Sequence, residues 1–127
     1  MAIGGPLPTQ RSNGIGDIRW SYKPGVRFGL RSLRCHFVRV SGSGTSTATL
    51  TIDADCQRGT YRDSEYDVRL YSSTGSGVSA DVNMTVDDES IERLALTPDY
   101  ALQVNWTNPD SIGEISWSLE AECVSLV

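Results

Sequence analysis

The feature that most limits how this chain can fold is the alternation of apolar and polar residues with a period of two. It is clearest over residues 47–54, where Ala48, Leu50 and Ile52 alternate with threonines. Successive side chains of a β-strand point to opposite faces, so this period predicts strands with one buried and one solvated face. The same pattern recurs along most of the 127 residues. Turn residues such as Gly, Ser and Pro interrupt it roughly every ten residues.

This alternation predicts about eight or nine strands and at most one short helix. Trp106 and Trp117 fall on the apolar phase of their strands, so we predict that both are buried in a common core. Residues 33–40 are apolar on both faces, which is typical of a central strand that is covered on both sides.

One stretch, residues 87–96, is ambiguous between helix and strand. Ser90 is placed to cap a short helix that would carry Ile91 and Leu94 on one side. Leu94 and Leu96 fit a strand equally well. Both possibilities remain open from the sequence.

The predicted fold class is all-β: a single antiparallel β-sandwich, jelly-roll-like, with an extended N-terminal arm. Residues 1–17 carry four glycines and two prolines without periodicity and are predicted to form the arm. Residues 18–127 are predicted to form the β-sandwich domain. No repeat is visible that would indicate a propeller or a solenoid.

Charge is distributed unevenly along the chain, whose net charge is −5. Residues 1–40 hold seven cations and one acid, whereas residues 41–127 hold four cations and fifteen acids. The acidic body would repel phosphate, which disfavours direct binding of nucleic acid. The basic segment is therefore expected to lie on acidic protein surface, either its own or a neighbour's, although a chance distribution on a solvated face would give the same pattern. Its candidate partner-binding residues are Arg11, Arg19, Arg27 and Arg31.

The three cysteines, Cys35, Cys56 and Cys123, show no zinc-binding spacing, and their odd number disfavours a closed set of disulfides. We predict that the chain forms no intrachain disulfide. The first residues lack the basic and apolar regions of a signal peptide, so synthesis in a cytoplasm is expected. No apolar run approaches the length of about 18 residues that spans a bilayer, so no membrane association is expected.

The chain has few residues of the types that commonly act in catalysis. We predict no catalytic residue, no cofactor and no metal site. His36 is the single histidine and lies between Cys35 and Phe37. A histidine in an apolar segment is more often a hydrogen-bonded core residue than a general base. Any Ser-His-Asp arrangement would depend on this one imidazole.

Three alternatives stay open. Carboxylates cluster at residues 53–55, 63–67 and 87–89, where loop oxygens would suit calcium and where two converging acids would suit a hydrolase. Tyr61 and Tyr71 would suit a sugar-binding surface if they were exposed together. The more ordinary interpretation of these residues is a solvated, acidic surface.

In overall style the chain resembles the small all-β virion proteins of tailed bacteriophages. The resemblance is carried by the Ser/Thr/Gly-rich alternating strands, by the Gly/Pro-containing N-terminal segment and by the closing run WTNPDSIGEISWSLE at residues 106–120. It covers the whole chain and includes no motif from which a functional residue can be transferred.

The resemblance implies a non-enzymatic structural protein of the virion that decorates or cements the capsid. Its implied partners are the major capsid protein or other virion subunits, and such proteins are often homo-oligomers. A tail or neck component is the alternative within the same class. A carbohydrate-binding module for host attachment is the alternative outside it.

Overall fold

The computed structural model describes residues 3–42, 46–54, 66–70, 79–108 and 113–127. In these ranges the chain forms nine strands and one short helix. The elements are β1 (Ile3–Pro6), β2 (Gln10–Ile15), β3 (Ile18–Tyr22), β4 (Phe28–Ser41), β5 (Ser46–Ala54), β6 (Tyr66–Leu70), β7 (Ser79–Thr85), α1 (Asp88–Arg93), β8 (Leu102–Trp106) and β9 (Glu114–Leu126).

The strands form two antiparallel sheets. The first sheet has the order β1–β9–β4–β7, with β2 also paired to β9, and the second has the order β3–β8–β5–β6. β1 and β2 both pair with β9 and so occupy the same edge of the first sheet. The predicted all-β, antiparallel class is confirmed.

The apolar faces of the two sheets contribute to one core. Phe37 of β4 and Trp106 of β8 bring their ring centroids to 4.7 Å across it. Trp106 is 1% exposed and Trp117 is 8% exposed, and both belong to the same buried cluster. The prediction of a shared tryptophan core is therefore confirmed.

The predicted N-terminal arm is extended, but most of it belongs to the first sheet. β1 pairs with the end of β9, from Ile3 opposite Leu126, and β2 pairs with its first half. The glycines that suggested a loop have a packing role here: a Cβ on Gly14 would lie 2.9 Å from the indole of Trp117. β1 and β2 lie at the edge of the sheet, where backbone hydrogen bonds matter more than apolar side chains. The periodicity of apolar residues therefore did not predict these two strands.

Two local predictions need correction. α1 is capped by Asp87, whose side chain accepts a hydrogen bond from the backbone N–H of Ser90 at 2.7 Å, so Ser90 is not the cap. β4 is central, between β9 and β7, but only one of its faces is covered by described residues. Arg34 and His36 are exposed on the other face.

The buried thiols give a prediction that can be checked chemically. Cys35 and Cys123 are free and buried, and burial raises the pKa of each to about 12. Neither thiol should react with iodoacetamide at pH 8 in the folded protein, because the thiolate is the reactive form. After unfolding, mass spectrometry should show three alkylated cysteines. Cys56 lies outside the described residues. A bridge between Cys35 and Cys123 in the unreduced protein would contradict the prediction.

Candidate functional site

A shallow groove crosses the outer face of the first sheet, which points away from the core. Its volume is about 410 Å³, and side chains from β2, β9, β4 and β7 line it. Strand register places the outward-facing residues in rows that run across the sheet. We call this surface the outer groove and define it by two such rows, Arg11–Glu120–Arg34–Asn83 and Asn13–Ser118–His36–Asp81.

The first row contains one ion pair and one additional cation. Arg11 Nε donates to Glu120 Oε2 at 3.0 Å, joining β2 to β9. Arg34 is the cross-strand neighbour of Glu120 on β4. Within the described part of the chain, however, the guanidinium of Arg34 makes no ion pair or hydrogen bond. The row therefore presents two guanidinium groups and one carboxylate, and its surplus positive charge lies on Arg34.

The second row contains the only histidine of the chain. His36 Nδ1 lies in hydrogen-bond contact with Asp81 Oδ1 of β7, and the two side chains are 48% and 63% exposed. The prediction that His36 is a core residue is therefore wrong, although it is hydrogen-bonded. Its neighbours Cys35 and Phe37 take the inward positions of β4, so the alternation places His36 in solvent.

This row also contains the three residue types of a serine hydrolase, because Ser118 of β9 lies opposite His36. Among the described residues no hydrogen bond joins Ser118 to His36. The carboxylates of Asp81 and Glu120 lie beside His36 and Arg11, respectively. The described geometry is a polar, hydrogen-bonding surface with one titratable imidazole.

An apolar area borders the outer groove toward the start of β9. Ile15 of β2 is 65% exposed and Val40 of β4 is 46% exposed. Ile15 and Val38 lie on either side of Ser116 in the strand register. These two apolar residues therefore share one row of the outer face, with only Ser116 between them. We call Ile15, Val38 and Val40 the apolar patch.

Of the four arginines predicted to bind partners, only Arg11 lies in the outer groove. Arg31 Nη1 binds Asp88 Oδ1 at 2.6 Å and so connects β4 to the start of α1. Arg27 precedes β4, and its carbonyl accepts a hydrogen bond from the backbone N–H of Leu126.

Arg19 lies on the second sheet. Its guanidinium donates to the carbonyls of Ile18 and Trp106 and lies 3.7 Å from an Asp17 carboxylate oxygen. Together with the pairs Arg11–Glu120 and Arg31–Asp88, this contact shows that the basic segment meets acids of its own chain.

Sequence reasoning missed Arg34 as a member of the groove. The alternation in the sequence did contain a signal for it. Arg34 lies between Leu33 and Cys35, which are buried, so its own side chain faces outward. The apolar residues Val38 and Val40 continue that same outward phase, and they obscured the polar character of the face.

Other candidate chemistry is sparse in the described ranges. There, no three His, Cys, Asp or Glu side chains converge as they would around a metal ion. The side chains of the predicted acidic clusters at residues 53–55 and 63–67 lie outside what the structure describes, as do Tyr61 and Tyr71. The cluster at 87–89 caps and begins α1. None of the described helices is long and apolar enough to span a membrane.

The chain matches no protein-family model and no curated protein. Its function is therefore inferred from the strand order and from the chemistry of the described surface.

Proposed function

We propose that this protein is a non-enzymatic structural component of a virion and that it decorates or cements the capsid. The observation that carries the proposal is the strand order of the two sheets, β1/β2–β9–β4–β7 and β3–β8–β5–β6. With β1 and β2 counted as two parts of one edge strand, we interpret this order as that of a jelly roll, an architecture that recurs in viral capsid proteins and also in lectins and cupins. A fold alone does not define a function, so the surface has to agree with it.

The first sheet offers a surface that is suited to assembly. β2 is held by backbone pairing along β9, while its outward side chains Arg11 and Ile15 remain 70% and 65% exposed. A rigid strand that presents a guanidinium and an aliphatic side chain combines two residue types suited to protein interfaces. We therefore propose that the side chains of the N-terminal segment make the predicted contacts with partners. The backbone of this segment is paired within the sheet.

The sugar-binding alternative has less support from the groove. A surface that binds sugars by stacking needs exposed aromatic rings. The outer groove is lined instead by Arg, Asn, Ser, His and carboxylate side chains together with Cys35 and Leu119. Trp106 and Trp117 are buried. The polar lining is better suited to a polypeptide surface than to ring stacking.

Particle composition tests the proposal directly. We expect quantitative mass spectrometry of gradient-purified virions from the infected culture to detect this chain at a copy number close to that of the major capsid protein. A decorating protein covers the whole lattice, whereas a tail or neck component would be present in far fewer copies. Cryo-electron microscopy of the same particles would place the chain on the capsid or on the tail. Absence from purified particles would contradict both forms of the proposal.

A further inference from the structure

We propose that the outer groove and the apolar patch form the surface through which this chain binds a second copy of itself. In this contact Arg34 binds a carboxylate of the other copy while Ile15, Val38 and Val40 pack against it. The inference rests on the proposed assembly function and extends it by naming the surface and its partner.

Arg34 supplies the cation of this contact. The neighbouring cation Arg11 already holds Glu120 at 3.0 Å, and His36 holds Asp81. Arg34 lies between these two pairs and has no ion-pair partner among the described residues. A guanidinium presents a planar fork of donors that matches a carboxylate with two parallel hydrogen bonds. The groove thus has an open position for one acidic side chain.

The acid that binds Arg34 comes from the surface of the second copy. The chain carries sixteen acids and eleven cations, so a second copy approaches with carboxylates in excess. Glu89, Asp99 and Glu114 are exposed and form no ion pair with described residues. The guanidinium of Arg34 on one copy and an exposed carboxylate of another are opposite in charge, and such a pair fixes the orientation of a contact.

The affinity of the contact requires more than this ion pair. An exposed ion pair alone contributes little, because water and salt screen it. The apolar patch adds hydrophobic surface that is removed from water when the two copies bind. Along β4, Arg34 and Val38 are four residues apart, which corresponds to about 13 Å in a strand. A partner surface must therefore present a carboxylate and an apolar side chain at about this separation.

The experiment measures self-association of the full chain by light scattering after size exclusion and by sedimentation equilibrium. We expect reversible association of the unmodified protein. Arg34→Glu should raise the dissociation constant at least about tenfold, because it opposes carboxylate to carboxylate. Lys23→Glu is the matched control, since it makes the same change in net charge in an exposed turn outside the groove. It should change the constant by no more than about twofold.

A second pair of variants tests the apolar patch. Ile15→Ser should weaken association about five- to tenfold, whereas Val26→Ser should not, because Val26 is an exposed apolar residue away from the groove. Circular dichroism of each variant checks that the fold is kept.

Three outcomes would overturn the inference. They are a protein that remains monomeric at every concentration, equal effects of Arg34→Glu and Lys23→Glu, and self-association that neither groove variant weakens. A monomeric chain that is nevertheless abundant in purified virions would overturn this inference alone and leave the proposed function in place. A chain that associates through the groove but is absent from virions would do the reverse.

Discussion

Replacing Trp106 with alanine should lower the free energy of unfolding by about 3–5 kcal/mol, the usual cost of removing a buried aromatic side chain. Trp106 is 1% exposed, and its ring contacts Phe37 from the opposite sheet. The substitution therefore opens a cavity where the two sheets meet. Urea denaturation followed by circular dichroism measures the change.

Two further variants separate the contributions to this effect. Trp106→Phe should cost much less, because the indole N–H has no hydrogen-bond partner among the described residues and the aromatic contact with Phe37 is partly kept. Trp20→Ala should also cost less, since Trp20 is only partly buried at the border of the core. Equal costs for Trp20→Ala and Trp106→Ala would contradict the shared core.

Gly113→Ala should destabilise the protein by roughly 3–5 kcal/mol, which combines backbone strain with a steric clash. Gly113 has a φ of +90°, and a Cβ there would lie 2.2 Å from the carbonyl oxygen of Ser41. That oxygen belongs to the end of β4, so neither group can move without disturbing the pairing of β4 with β9. The measurement is the shift in the urea midpoint.

Two other glycines make this test internally controlled. Gly16 has a φ of +88° but open space around the position of a Cβ, so Gly16→Ala should show the backbone strain alone. A Cβ on Gly5 would meet nothing within 4 Å, and Gly5→Ala should be nearly neutral. If Gly113→Ala were no more costly than Gly16→Ala, the close contact with Ser41 would be wrong.

Alternation was sufficient to predict the strands whose two faces differ strongly. β8 and β9 follow it closely, with Val104, Trp106 and Trp117 inward. It failed where a face is mixed. On β4 the residues Arg34 and His36 share their outward face with Val38 and Val40, so a period of two could not say which face water reaches.

The outer groove could not have been predicted from the sequence. Arg11 and Glu120 are separated by 109 positions and meet only because β2 and β9 pair in one particular register. A slip of one residue would turn every side chain to the other face. Local patterns assign residues to faces, but they do not say which distant strands become neighbours. The rows of the groove are a product of that long-range pairing.

The position of β9 has a consequence for how the protein is made. β9 is the last strand in the sequence, and it is the direct partner of β1, β2 and β4. Those three strands emerge from the ribosome well before their common partner exists, so the first sheet is completed only after β9 has been synthesised. Until then, the backbone donors and acceptors of β1 and β2 have no β9 to pair with. Folding of this protein is therefore dominated by a late, long-range step, which favours slow formation of the native sheet and makes nascent chains targets for chaperones.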